Sequence, residues 1–120
     1  MSRRAAAEAR GRRGEGLAAW YLRLKGWRIV ARRARTPAGE VDLVARRGQT
    51  LAFVEVKWRA RAEDLATAID ERRLQRVARA AEALVARYGV GAETIRIDVV
   101  LLAPGRWPRH MANVWMPTRG

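Results

Sequence analysis

Hydrophobic residues recur in this chain with two periods. From Arg3 to Lys25 an alanine-rich segment places Leu17, Ala18, Tyr21, Leu22 and Leu24 at helical spacings and stops at Gly26, which predicts a first helix. "WRIVARR", Trp27 to Arg33, is short and carries β-branched residues, so a strand is predicted, closed by the turn chemistry of Thr36 to Gly39. "EVDLVARR" and "LAFVEVKW" alternate and predict two more strands with a tight connection around Gly48. Helical spacing returns from Asp64 to Tyr88, where Leu74, Val77, Ala81, Leu84, Val85 and Tyr88 form one stripe and Gly89 ends it. An earlier turn, Leu65 to Ile69, has the pattern of a separate short helix broken near Asp70. Thr94 to Ala103 is apolar on both faces towards its end, as a central strand requires, and "MANVWM" after the "PGRWPR" loop predicts a final edge strand. The order α-β-β-β-α-β-β predicts an α/β fold with one mixed central sheet flanked by helices.

Within "LAFVEVKWR", Leu51, Phe53, Glu55 and Lys57 share one strand face, and Ala52, Val54, Val56 and Trp58 the other. Matching apolar faces puts Val41 and Leu43 on the Val54 and Val56 side, which leaves Asp42 on the face of Glu55 and Lys57. If the connection is Arg47 to Thr50, Arg46 pairs with Leu51 and Asp42 lands opposite Glu55; a two-residue turn brings Glu40 there instead. Either register sets two carboxylates about 5 Å apart at Cβ, an arrangement that is destabilising unless a cation lies between them. A hard divalent ion such as Mg²⁺ or Mn²⁺, completed by waters, suits such a pair.

Charge adds a partner class. The 120 residues carry 25 Lys and Arg against 12 Asp and Glu, a formal charge of +13 and a pI near 11.7. Folding does not require this imbalance, and a polyanion is its simplest counterpart. The basic residues are spread along the chain and not gathered beside an apolar anchor, which favours DNA or other nucleic acid over a membrane. No stretch resembles a membrane span, and "MSRRAAAEARGRRGEG" lacks a signal-peptide core, so a cytoplasmic protein is expected. Its length and 49% hydrophobic content imply one folded domain, 1–120, with residues 1–10 as a mobile basic arm. Without cysteine, a metal would be held by oxygen or by His110, which has no conspicuous acid nearby in sequence and reads as a surface residue.

Only Lys25 and Lys57 are lysines, so Lys57 holds a place that arginine was not given. A lysine ammonium is compact and its pKa falls on burial, whereas a guanidinium stays protonated. Beside a metal-bound water it can orient or deprotonate the nucleophile. The plain alternative is a Glu55 and Lys57 ion pair on a wet sheet face with Asp42 solvated.

"GEVDLVARRGQTLAFVEVKWR" resembles the D-x(n)-E-x-K core of the PD-(D/E)XK nuclease superfamily. With "GRRGEGLAAWYL" upstream, the chain from Gly11 to about Leu101 resembles the YraN-like family, related to archaeal Holliday junction resolvases. The resemblance implies a restriction-endonuclease-like fold with Asp42 and Glu55 as metal ligands, Lys57 as catalytic lysine, and Glu15 as a further acid from the first helix. By its own helical position, Glu15 either reaches the site or pairs with one of the many arginines. Glu40 either supports a metal through water or only begins its strand. Departures from the family pattern are Trp58 after the lysine, where a small hydroxyl residue is common; Arg33 where an asparagine often stands; and Arg72 or Arg73 where the second helix often has lysine. Asp98 in "IRIDVV" reads as structural.

Arg72, Arg76 and Arg79 fall opposite the Leu74 stripe and form a row suited to phosphates. Arg12 and Arg13 near the N-terminus and Arg59 after the lysine are further nucleic-acid contacts. The tryptophans read as core or interface, with Trp58 also placed to stack on a base. The expected activity is metal-dependent endonucleolytic hydrolysis of DNA, with branched DNA and a homodimer implied by the resemblance. The competing readings are a nucleic-acid-binding protein that keeps the fold without cleaving, and an assembly factor whose basic surface meets an acidic protein.

Overall fold

The computed structural model describes residues 2–59 and 71–115, with side chains in the first helix described from Gly14 onward. The turn predicted at Leu65 to Ile69 and the predicted helix start at Asp64 lie outside the described residues, as do the side chains of Arg12 and Arg13. The elements are α1 (Arg3–Leu24), β1 (Arg28–Thr36), β2 (Gly39–Arg47), β3 (Thr50–Trp58), α2 (Glu71–Tyr88), β4 (Thr94–Leu102) and β5 (Arg109–Met111).

Helix α1 ends where the sequence requires it. Gly26 takes φ +89°, the Gly26 N–H donates to Arg23 O, and the Trp27 N–H reaches back to Leu22 O, both at 3.0 Å. This pair of bonds satisfies carbonyls that the helix itself leaves open, and it needs a residue without Cβ at the left-handed position.

The chain then builds an antiparallel meander, β1 to β2 to β3, and crosses over through α2 to lay β4 parallel to β3. The sheet order is β1-β2-β3-β4-β5, so β3 and β4 are interior and carry the longest apolar runs. Helix α1 buries Ala18, Ala19 and Leu22 against Leu43, Ala45, Ala52 and Val54 on one sheet face. Helix α2 buries Leu74, Val77, Ala80, Ala81 and Leu84 against Val44, Leu51 and Phe53 on the other. A central sheet between two helix layers results, and the carboxyl end of β3 opens between them.

Three expectations need correction. The last strand is not "MANVWM" but Arg109–Met111, because Asn113 turns the chain at φ +55° and its N–H is taken by the Asp98 carboxylate at 2.9 Å. Strand β1 runs on to Thr36, past a register shift between Ile29 and Ala31. Val41 packs in the α2-side cluster, while Leu43 packs with Val54 on the α1 side. Alternation is interrupted at Asp42, whose side chain is used within the sheet.

Candidate active site

The β2–β3 hairpin has Gly48 and Gln49 at its tip, with Gly48 at φ +60°. Arg46 pairs with Leu51 and Leu43 with Val54. Continued by one residue, this register sets Asp42 opposite Glu55 and not Glu40; Arg46 pairs with Leu51 as in the first alignment, but Arg47 also pairs with Thr50, so the turn is the two residues Gly48 and Gln49 and not the four-residue connection to which that alignment was tied. The ladder ends at Leu43 and Val54, and Asp42 Oδ2 accepts the Val56 N–H at 2.8 Å in place of a backbone carbonyl. The side chain thereby satisfies a donor that the parting strands would otherwise orphan.

Glu55 is 2% exposed, an unusual place for a carboxylate unless it is paired. Its Oε1 accepts Arg73 Nε at 2.5 Å and faces Lys57 Nζ at 3.4 Å. The Lys57 side chain is mostly buried beside it, and burial lowers the Lys57 pKa, with the Arg73 and Arg59 charges adding and Glu55 opposing. For Asp42 the direction is upward, to about 7: burial disfavours its charge, Glu55 and then Glu15 repel it, and the Val56 N–H and Arg73 offset part of this. The close carboxylate pair thus shows its electrostatic cost at Asp42.

Glu15 Oε2 accepts Arg33 Nε at 2.7 Å, so the arginine-paired alternative describes its contacts. Its charge nevertheless reaches Asp42, which places it on the α1 side of the site. Arg33 holds φ +50°, a backbone state that asparagine tolerates better than other residues with a side chain. The asparagine expected at this position from the family pattern suits that backbone, and arginine accepts its cost while supplying the guanidinium that neutralises Glu15.

Among the described residues no group of three or more His, Asp or Glu could hold a metal. Glu55 lines the inside of a cleft and the Asp42 carboxylate binds the Val56 N–H next to it, and Mg²⁺ is commonly held by one or two carboxylates together with waters and phosphate oxygens. This donor set fits a metal shared with a substrate, not an all-protein cage.

A cavity of about 260 Å³ opens over Glu55, walled by Gly39, Glu40, Arg73, Arg76 and Val77. Arg76 thus stands at the cleft; Arg72 and Arg79 are exposed on α2, and Glu40 pairs with Arg35 at 3.3 Å. Arg59 continues the edge of β3, its N–H donating to Leu102 O at 2.8 Å. Trp58, 37% exposed, lies so close to Gly14 of α1 that a Cβ there would overlap the indole.

Arg73 is the site residue that sequence reasoning left beside Arg72 without a role. Its position immediately before Leu74, at the edge of the buried stripe, was the available signal. His110 is not a surface residue: its side chain is 5% exposed, its Nε2 lies 2.6 Å from Asp98 Oδ2, and Lys25 Nζ lies 2.8 Å from its Nδ1. Lys25 can only donate, so Nδ1 accepts and Nε2–H donates to Asp98. Asp98 is fully buried and also bound by Arg96, which makes it the structural residue expected.

A three-layer α/β domain whose hairpin acid faces an E-x-K strand has the restriction-endonuclease-like architecture. The chain belongs to the UPF0102, or YraN-like, family: the pattern described as "Uncharacterised protein family UPF0102" matches residues 14–102. It is 68% identical over 115 residues to a UPF0102 protein of Rhizorhabdus wittichii, covering 96% of this chain and 98% of the relative. Over 114 residues it is 67% identical to one of Sphingopyxis alaskensis, covering 95% and 98%. A UPF0102 protein of Erythrobacter litoralis is 58% identical over 115 residues, covering 96% and 99%. The matched span contains Glu15, Asp42, Glu55, Lys57 and Arg73, and ends before β5 and His110.

Proposed function

We propose that the protein is a metal-dependent endonuclease that hydrolyses phosphodiester bonds of DNA. The supporting observation is the Asp42 carboxylate bound to the Val56 N–H where the β2–β3 ladder ends, within electrostatic reach of Glu55, with Lys57 packed beside Glu55. Like-charged carboxylates in such a place are costly to a fold and useful to phosphoryl chemistry. Asp42 and Glu55 would hold Mg²⁺ or Mn²⁺, which when bound polarises a phosphate oxygen and acidifies a water.

The protein's own residues supply the rest. Glu55 orients Lys57, whose lowered pKa suits it to hold the attacking water at Nζ or take its proton. Water oxygen then bonds to phosphorus as the bond to the leaving oxygen breaks and that oxygen takes a proton from solvent, with no covalent enzyme intermediate. Arg73 and Arg76 line the cleft where the phosphate would lie, and Arg72 and Arg79 extend the cationic face along α2. Glu15 contributes by holding Arg33 and by repelling charge from Asp42. Arg12, Arg13 and Arg59 add phosphate contacts, and Trp58 offers an aromatic face beside Lys57. Branched DNA as substrate, a homodimer acting on paired strands, and a cytoplasmic location belong to the same reading. No helix among the described residues is long and apolar enough to cross a membrane.

A second reading, nucleic-acid binding without cleavage, is favoured by the Arg73 guanidinium already seated on Glu55. The deciding experiment is cleavage of labelled four-way, flapped, linear duplex and single-stranded DNA with Mg²⁺ or Mn²⁺, beside Lys57→Ala and Asp42→Asn. Cutting that needs metal and is lost in both variants while binding persists supports the nuclease. Salt-sensitive binding without cutting under either metal supports the second reading.

A further inference from the structure

A second cationic cavity lies at the other end of the sheet, under the β2–β3 turn. Gly26, Arg28, Arg46, Arg47 and Gly48 wall a space of about 320 Å³. Counted along β3 from Glu55 to Thr50 at about 3.3 Å per residue, it is about 17 Å from the Asp42 and Glu55 pair.

Two of its arginines are held in place by groups that leave their charge uncompensated. Arg46 Nε donates to Gly48 O at 3.1 Å and its Nη1 to Val90 O at 2.7 Å. Arg47 Nη1 donates to Lys25 O at 3.3 Å, and its guanidinium lies 4.5 Å over the ring of buried Trp27. Carbonyls and an aromatic face orient a guanidinium without neutralising it. Among the described residues no carboxylate lies within ion-pair distance of Arg28, Arg46 or Arg47. The buried acid on this side of the molecule, Asp98, is taken up by Arg96 and His110. Each guanidinium has five N–H donors; two of Arg46, one of Arg47 and none of Arg28 are used by described partners. Three like charges facing one cavity with spare donors repel one another and match the oxygens of an oxyanion.

We infer that the cavity of Arg28, Arg46 and Arg47 binds a phosphate group, supplied by a nucleic-acid backbone that also reaches the Asp42 and Glu55 pair. The source of the phosphate rests on the nuclease reading; the anion site itself does not. At a rise of about 3.4 Å per phosphate along one strand, a duplex must exceed about five base pairs to touch both places.

The test uses the full chain in chelator, so that nothing is cut. Inorganic phosphate is titrated while the Gly26 and Gly48 amides are followed by NMR, and labelled hairpin duplexes of about 4 and 20 base pairs are titrated across a salt series. Arg28→Gln removes an exposed side chain that has no described hydrogen bond, and Arg28→Gln with Arg46→Gln removes two walls. The expected results are phosphate shifts at both glycines and a salt slope for the long duplex lower by about one in Arg28→Gln, with the short duplex unaffected. Unmoved glycines with an unchanged slope overturn the inference. Glycine shifts with an unchanged slope keep the anion site and overturn the nucleic-acid source in favour of a free phosphate compound. Glycine shifts in a protein that binds neither duplex keep the site and remove the nuclease reading instead.

Discussion

Arg73 on α2 and Glu55 on β3 are joined at 2.5 Å, with the carboxylate 2% exposed and the guanidinium side chain 55% exposed. The acid is fixed inside the molecule while its partner stands at the mouth of the cleft. A cation entering at Glu55 therefore competes with a guanidinium that can withdraw into water, and the exchange costs less than it would with a buried arginine. Arg73→Gln is expected to raise Mn²⁺ affinity several-fold, read by titration calorimetry without DNA. Lys57 still faces Glu55 and Arg73 is half exposed, so folding stability should fall by only about 1 to 2 kcal/mol, between an exposed pair and the roughly 3 to 5 kcal/mol of a buried one. Unchanged metal affinity would remove Arg73 as a competitor for the site.

Asp42 gives the site a pH signature. Its pKa is raised from an ordinary carboxylate value to about 7, with burial as the first cause and Glu55 as the second. A group whose folded pKa is raised favours the folded state in its protonated form; that contribution is complete below about pH 4 and is lost as pH rises through about 7. Asparagine keeps an acceptor for the Val56 N–H and carries no charge. At pH 8, Asp42→Asn should therefore be more stable than the parent by about 1 to 3 kcal/mol, a gap that narrows steadily towards pH 4. Chemical denaturation at four pH values measures it. Mg²⁺ at pH 8 should raise the Tm of the parent and leave that of the variant unmoved.

Asp98 is the opposite case. Burial alone would raise its pKa, but bonds from His110, Arg96 and the Asn113 N–H outweigh burial and hold it below the usual carboxylate range. The stability it lends is present above the unfolded value near 4 and is lost as pH falls through the lower folded value. Asp98→Asn leaves Arg96 without its partner carboxylate and should cost about 3 to 5 kcal/mol in urea unfolding, with any nuclease activity of the folded fraction unchanged. A loss of less than about 1 kcal/mol would show the cluster to be dispensable.

Much of this was legible because a strand has only two faces. Alternation in "LAFVEVKW" put Glu55 and Lys57 on one face and left Asp42 or Glu40 as the facing acid, which the observed register decides for Asp42, and the stripe from Leu74 to Tyr88 located α2. Val41 was misplaced because Asp42 turns within the sheet to take a backbone N–H, and periodicity does not register that use of a side chain. Arg73 was hidden by its neighbour Arg72: adjacent arginines at the edge of a stripe differ by about 100° of helix rotation, and only packing against β3 tells them apart. His110 was read as exposed because its partners are set by the fold: the pairing of β4 and β5 brings Asp98 to it, and the end of α1 brings Lys25, 85 residues away in sequence.

Gly14 and Trp58 supply a way to probe the neighbourhood of Lys57 without touching a charged group. A Cβ at position 14 would meet the indole edge, Nε1 first and Cδ1 at 3.0 Å, so Gly14→Ala must push Trp58 aside or tilt α1 away from β3. A helix interior would otherwise gain up to about 1 kcal/mol from alanine, whereas overpacking at this buried position typically costs about 1 to 3 kcal/mol. The clash should win, giving a net loss of about 1 to 2 kcal/mol and altered tryptophan fluorescence. Trp58→Ala removes the obstacle, so in that background Gly14→Ala should be neutral or stabilising. A double-mutant cycle on urea midpoints measures the coupling, and a coupling energy near zero would mean that α1 and β3 do not meet through this contact.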